Sequence, residues 1–382
     1  MSLIFRKLAR NNPRNIVTDA QILVISRRKL SIVPSLYDGE QDPAPKFFSP
    51  NVQVLLKRLT RPDFNKVFRK RTNHGLNILR TPTYKFLTNE ELEEEIAKAN
   101  EKADRLLQMP PIVKIQKHIE DVLSKDPALV GYDTAKFIFT DITFGVANEH
   151  RFIVERDPDG VLRSCDHDVR KRLNQVYFPL HGRRLREPVM FADPEKFNNL
   201  LDREQYEFVL DRACVQYEPD EPSYQRVTSI TYQHLDSKSK YELLRSTRHF
   251  GPLVFYLTWH KSVDNLMLEL LQTGAVREAA LLIALRQDIQ GDVVNGDVAR
   301  GLVQQILPTP IQLKKPERLT EEDIQIDTKC VECIEKYIKN NSGVMMTLMP
   351  NSRICTFILY VCDHASLSSS RQKMYLPSLS FF

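Results

Sequence analysis

Along most of the chain the apolar positions recur every three or four residues, and over one short stretch they alternate. The first pattern belongs to helices with one buried face, the second to strands. Ser49-Pro50 offers an N-cap with proline at the first helical position, and the helix NVQVLLKRLT follows until Pro62 interrupts it. Thr88 opens the clearest helix. Glu91 stands three residues on, which makes a capping box, and Leu87 and Leu92 occupy the staple positions. Leu92, Ile96, Ala99, Ala103 and Leu106 then line one face, while the pairs Glu94–Lys98 and Glu101–Arg105 support the other. Met109-Pro110-Pro111 stops it. This helix reads as a docking or packing strut without chemistry of its own.

The period changes at KFIFTDITF, which places Phe137 and Phe139 on one face of a strand. RFIVE and VLRS follow, joined through Asp157-Pro158-Asp159-Gly160, where proline presets φ and glycine accepts a positive one. A small antiparallel sheet of about three strands is the expected result. From Asp166 the helical period returns. DHDVRKRLNQVYF runs to Pro179, Asp193-Pro194 caps a further helix, and Asp202 with Gln205 reads as another capping box. Helices are expected at 193–215, 223–235, 238–247, 251–272, 275–290, 297–307 and 320–341. No repeat period is regular enough to name a family of repeats. The predicted fold is α+β but predominantly α: an irregular helical array with a small central antiparallel β-hairpin or sheet.

Composition adds a boundary. Hydrophobic residues are 42% and charged residues 27% of 382, a globular profile, with only 12 Gly against 22 Pro. The net charge of +5 is unevenly placed. Residues 1–80 hold 16 Lys/Arg and 5 Asp/Glu, and the rest of the chain is slightly acidic. Residues 1–29 carry seven cations against Asp19; of the 54 basic and 49 acidic groups, 47 and 48 remain without them. An Arg-rich, acid-poor start with apolar residues near helical spacing reads as a mitochondrial presequence, and otherwise as a basic tail. A near-neutral body cannot bind nucleic acid through bulk charge, so contacts with it must be local. The expected parts are a presequence at 1–30, a linker at 31–48, an N-terminal helical segment with a basic patch at 49–130, a β-hairpin region with its following helix at 131–190, a helical array at 191–343 and a poorly ordered tail at 344–382. No apolar run approaches the roughly 18 residues that span a bilayer. Six scattered cysteines argue for a reducing compartment.

Two basic stretches stand out. Lys57, Arg58, Arg61, Lys66, Arg69, Lys70, Arg71 and Arg80 face only Asp63, with Phe64 and Phe68 between them. Such a segment suits an RNA backbone, and it equally suits a solvated face. His181-Gly182-Arg183-Arg184-Leu185-Arg186 lies in a loop between Pro179 and Pro188. Its Arg183, Arg184 and Arg186 suit phosphate or acidic protein partners.

Catalytic and cofactor patterns fail one by one. No Gly-x-Gly occurs, and the pair Gly291 and Gly296 has Asp297 where a phosphate-binding loop requires lysine. Adjacent helical residues point about 100° apart, so Asp166-His167-Asp168 cannot converge on one ion. Cys330-x-x-Cys333, with Cys355, Cys362 and His364, is the one metal-like arrangement, but its first pair falls on the apolar stripe of a helix, and packing is the simpler reading. Cys165 near His167 reads as chance proximity, and Trp259 as core. The residues therefore predict no enzyme, no cofactor, no metal and no small-molecule substrate.

Six strings carry a resemblance: PTYKFLT (82–88), KFIFTDITF (136–144), RFIVERDPDGVLR (151–163), NQVYFP followed by GRR (174–184), QYEPDEPSY (216–224) and KYELLRSTRHFG (240–251). In these strings, and in their order, the chain resembles the mitochondria-specific small-subunit ribosomal protein family numbered twenty-two. The resemblance implies a scaffold role in the mitochondrial matrix, with small-subunit rRNA and other mitochondrial small-subunit ribosomal proteins as partners, and no membrane. The alternative is a mitochondrial ribosome assembly or RNA-processing factor that binds transiently. From about Val344 the chain departs from the family, and its TFILYV is aggregation-prone if exposed.

Overall fold

The computed structural model of the protein describes residues 42–69, 84–119, 121–291, 293, 295–307 and 321–340. The expected presequence and tail lie outside them. Where a linker is expected at 31–48, the described end of that stretch forms a helical turn instead, α1 (Ala44–Phe47). Its Phe47 is buried edge-on against Phe255 at 5.1 Å, so burial of one ring holds the turn in place.

The helix after Ser49 is α2 (Pro50–Thr60), which buries Val52, Leu55, Leu56 and Leu59. It stops where Pro62 disfavours helical backbone at the preceding residue. Arg61 turns left-handed there, with φ 51°. A short helix, α3 (Phe64–Val67), is capped by Asp63, whose carboxylate accepts from the Asn65 N–H. α4 (Asn89–Leu106) begins with the expected capping box. The Thr88 hydroxyl accepts from the Glu91 N–H at 3.3 Å, and the Glu91 carboxylate accepts from the Thr88 N–H at 2.9 Å.

The sheet has four strands, one more than expected: β1 (Val122–Lys125), β2 (Phe137–Thr140), β3 (Ile153–Arg156) and β4 (Val161–Ser164), all antiparallel in the order β1-β4-β3-β2. β1 lies inside the stretch expected to be helical. Val-Leu-Ser-Lys is too short to reveal a period, and its partner β4 is distant in sequence. The β3–β4 turn forms as expected, with the Gly160 N–H donating to the Asp157 carbonyl at 3.0 Å and φ +75° at Gly160. A Cβ at Gly160 would stand 2.2 Å from the Asp126 carbonyl oxygen. Behind β3 runs α5 (His167–Tyr177). Arg170 donates to the Arg151 carbonyl and Asn174 to the Asn148 carbonyl. Buried Arg151 satisfies the carbonyls of Asp141, Thr143 and Val146 and stacks on Phe178 at 3.5 Å.

The remaining elements are α6 (Val189–Ala192), α7 (Pro194–Asp202), α8 (Tyr206–Gln216), α9 (Pro222–Lys238), α10 (Phe250–Trp259), α11 (Asp264–Gln272), α12 (Val276–Gln290), α13 (Gly296–Ile306) and α14 (Glu321–Asn340). α12 is the centre: every residue from Ala279 to Leu285 is buried, and α2, α10, α11, α13 and α14 all pack on it. Its middle, residues 279–285, is apolar on every side, as suits a segment inside the core, while charged residues such as Arg277, Glu278, Arg286 and Asp288 sit at its two ends.

Three expected helices differ. The span 193–215 is two helices, because Glu204 turns left-handed (φ 58°); Asp202 ends α7 rather than capping α8, whose N-cap Gln205 makes no side-chain cap. The span 251–272 divides at Lys261 (φ 60°), where the Ser262 N–H closes back on the Leu257 carbonyl. The span 238–247 shortens to a 3-10 turn at Tyr241–Leu243. There the Ser246 N–H donates to the Thr60 carbonyl and its hydroxyl to the Arg61 carbonyl, so ties to α2 override helix propensity. Among the described residues no helix is long and apolar enough to cross a membrane.

Candidate functional site

The first basic stretch is largely tied to the body. Arg58 is half-buried and reaches the Ile306 carbonyl at 3.5 Å; burial lowers its pKa, and the Glu278 charge opposes that. Arg61, left-handed at the end of α2, pairs with Glu278 at 3.0 Å. Lys66 pairs with Glu242 and Arg69 with Glu207, each at 2.6 Å. Phe64 and Phe68 stack at 5.8 Å, and Lys102 of α4 lies 5.7 Å from the Phe68 ring. The structure thus brings Arg58, Arg61, Lys66 and Arg69 onto one run of surface, each against a group from α8 or beyond. Lys57, Lys66 and Arg69 stay exposed. Exposed ion pairs contribute about 0–1 kcal/mol, so a phosphate can take the place of Glu242 or Glu207 at little cost. Lys70, Arg71 and Arg80 lie outside the described residues.

The second stretch is a clamped loop. Gly182 has φ +82° and its carbonyl accepts from Arg212 at 2.9 Å. The Gln216 side chain holds Arg184 by its backbone twice, accepting from its N–H at 3.1 Å and donating to its carbonyl at 2.8 Å. Arg183 turns inward to Glu218 at 2.5 Å. Arg184 and Arg186 remain exposed. The backbone is therefore fixed while two guanidinium groups face solvent. Arg212 and Gln216 were not singled out from sequence; their one signal is a spacing of four on a helix.

Of the remaining candidates, Cys355, Cys362 and His364 lie outside the described residues. Cys330 and Cys333 are buried in the core on α14, and burial pushes the Cys330 thiol up to about 12. Cys165 is buried beneath the sheet, and its thiol is pushed up to about 11, first by burial and then by the Glu155 charge. His167 meets the Lys117 carbonyl at 3.1 Å, and Asp166 meets His118 at 2.9 Å, so these side chains diverge as helical geometry requires. Among the described residues no three His, Cys, Asp or Glu side chains are placed to hold a metal. Trp259 packs against the core, stacked on Phe255 at 5.9 Å.

One polar cluster was missed. Asp211 accepts from Arg248 at 2.6 and 3.1 Å and meets buried His249 at 3.0 Å. Burial alone would raise the Asp211 pKa, but these donors hold it below the usual carboxylate range. Burial lowers that of His249 against the pull of Asp211. A cleft of 360 Å³ nearby is lined by Arg105, Met109, Cys214, Glu218 and Arg248. The Cys214 thiol there meets the Tyr224 hydroxyl, and burial raises its pKa, which leaves it a poor nucleophile.

Residues 45–291 match the family of mitochondrial 28S ribosomal protein S22. The small ribosomal subunit protein mS22 of Mus musculus is 39% identical over 248 residues, covering 65% of this chain and 68% of the relative. The mS22 of Bos taurus is 37% identical over 248 residues, with the same coverage.

Proposed function

The chain belongs to the mitochondrial 28S ribosomal protein S22 family and is a structural component of the mitochondrial small ribosomal subunit; from that premise we propose that it serves there, in the matrix, as a non-catalytic bridge between rRNA and neighbouring proteins. The observation that carries this reading is the clamped loop. Arg184 and Arg186 project from a backbone held by Gln216 and Arg212, so a phosphate is met without the entropy cost of ordering a loop. Lys57, Lys66 and Arg69 form the second contact, extended by Lys70 and Arg71. Arg58, Arg61 and Arg183, tied to Ile306, Glu278 and Glu218, hold the two contacts in place. The helical array between them faces protein.

Sedimentation tests the bridge. The unaltered chain is expected to stay in the small-subunit peak at high salt, whereas a transient assembly or RNA-processing factor would be stripped off. The double substitution R184E/R186E is expected to weaken incorporation at low salt and to make what remains less sensitive to salt, since two phosphate contacts are lost. Wild-type incorporation of that variant would show that the loop is only a solvated basic face.

A further inference from the structure

α4 carries a seam that nothing in the described chain covers. Its apolar residues fall at 92, 96, 99, 103 and 106, alternating steps of four and three, which is the spacing of a coiled-coil face. Of the seam residues only Ala103 is buried, at 4% exposure. Leu92, Ile96 and Leu106 are 48%, 50% and 49% exposed, and Phe86 on the approach is open to solvent. An amphipathic helix takes most of its stability from packing its apolar face, and here the N-terminal half of that face is bare.

Charge says what covers it. Glu93 and Glu95 take the two positions that flank the seam beside Leu92 and Ile96. Residues 89–106 hold seven carboxylates and three cations. Lys98 answers Glu94 at 3.6 Å and Glu95 at 3.4 Å, while Glu93 has no cation partner among the described residues. Such a rim repels phosphate, so RNA is the wrong occupant. A second copy fits no better. It would bring the same carboxylates against those already there. We infer that this seam receives a helix of a neighbouring small-subunit protein, with apolar residues at matching spacing and Lys or Arg beside them. The inference rests on the bridge reading and names one of its protein-facing surfaces.

The test uses the full chain in mitochondria depleted of the resident protein. Two variants, L92S/I96S and E93K/E95K, are compared with the unaltered chain by sedimentation, and a photo-crosslinking residue is placed at Ile96. Because these side chains are exposed, the purified variants should unfold at the unaltered midpoint. Incorporation into the subunit should fall about tenfold for L92S/I96S, the cost of leaving two anchors unburied. It should also fall for E93K/E95K, and the crosslink should join a Lys/Arg-rich helical peptide of another ribosomal protein. Normal incorporation of both variants, or a crosslink to rRNA or to a second copy of this chain, would overturn the seam and leave the bridge standing. Failure of the unaltered chain to sediment with the subunit would overturn both.

Discussion

At the scale of single residues, two positions govern stability for opposite reasons. Gly160 is required by its backbone, which is left-handed and lies against the Asp126 carbonyl. Gly160→Ala is expected to cost about 2 kcal/mol, through strain at positive φ and the shift that the added carbon forces. Hydrogen exchange should show the loss first in β1 and β4, which meet there. The need for glycine was legible in Asp-Pro-Asp-Gly; the clash was not, since Asp126 is brought in by a strand that leaves no periodic trace. Asp211 is required by its charge. Its pKa is depressed, so the stability it contributes is complete above the ordinary carboxylate range and is lost as pH falls through the lower folded value. His249, also depressed, adds a loss of the same sign as pH drops below the ordinary histidine range. Asp211→Asn should cost about 2 kcal/mol at neutral pH, the worth of hydrogen bonds to a charged group, and should flatten the acid limb of a denaturant-midpoint profile. A profile as steep as the parent's would contradict this. Nothing in sequence could find the cluster, because Asp211 and His249 stand 38 residues apart.

Elements divide by how local their causes are. α2, α4 and the Asp157–Gly160 turn were legible because caps, prolines and glycines act on their immediate neighbours. The breaks at Glu204 and Lys261 were not, because non-glycine residues adopt the left-handed conformation there under tertiary pressure, without Gly or Pro to announce it. The same division separates two mutations. Thr88→Ala removes half of the capping box and should cost about 1 kcal/mol, but only locally. Exchange of the amides at 90–92 should quicken while the global midpoint stays put, since α4 barely touches the body. Leu282→Ala in α12 should cost about 3 kcal/mol globally, because a cavity there opens at the meeting point of five helices. A small shift in midpoint would mean that the core can collapse around the hole.

On the scale of the whole molecule, charge placement was legible and charge use was not. The sequence located the cations of 57–71, but the acids that meet them are remote: Glu207, Glu242 and Glu278 lie 138, 176 and 217 residues from their partners. Reversal of Lys66, Arg69, Lys70 and Arg71 together is expected to reduce subunit incorporation several-fold more at 50 mM salt than at 200 mM, because lost phosphate contacts lower the counterion release that makes the unaltered chain's affinity steep in salt. Indifference to salt would point to protein contacts instead. The length of those links also bears on timing. The strip that begins at Lys57 includes Arg61, which Glu278 holds. A chain threaded from its N-terminus therefore completes that hold only after most of its length has emerged. Unfinished polypeptides would lack that hold, so the strip's final form reports on the chain's completeness.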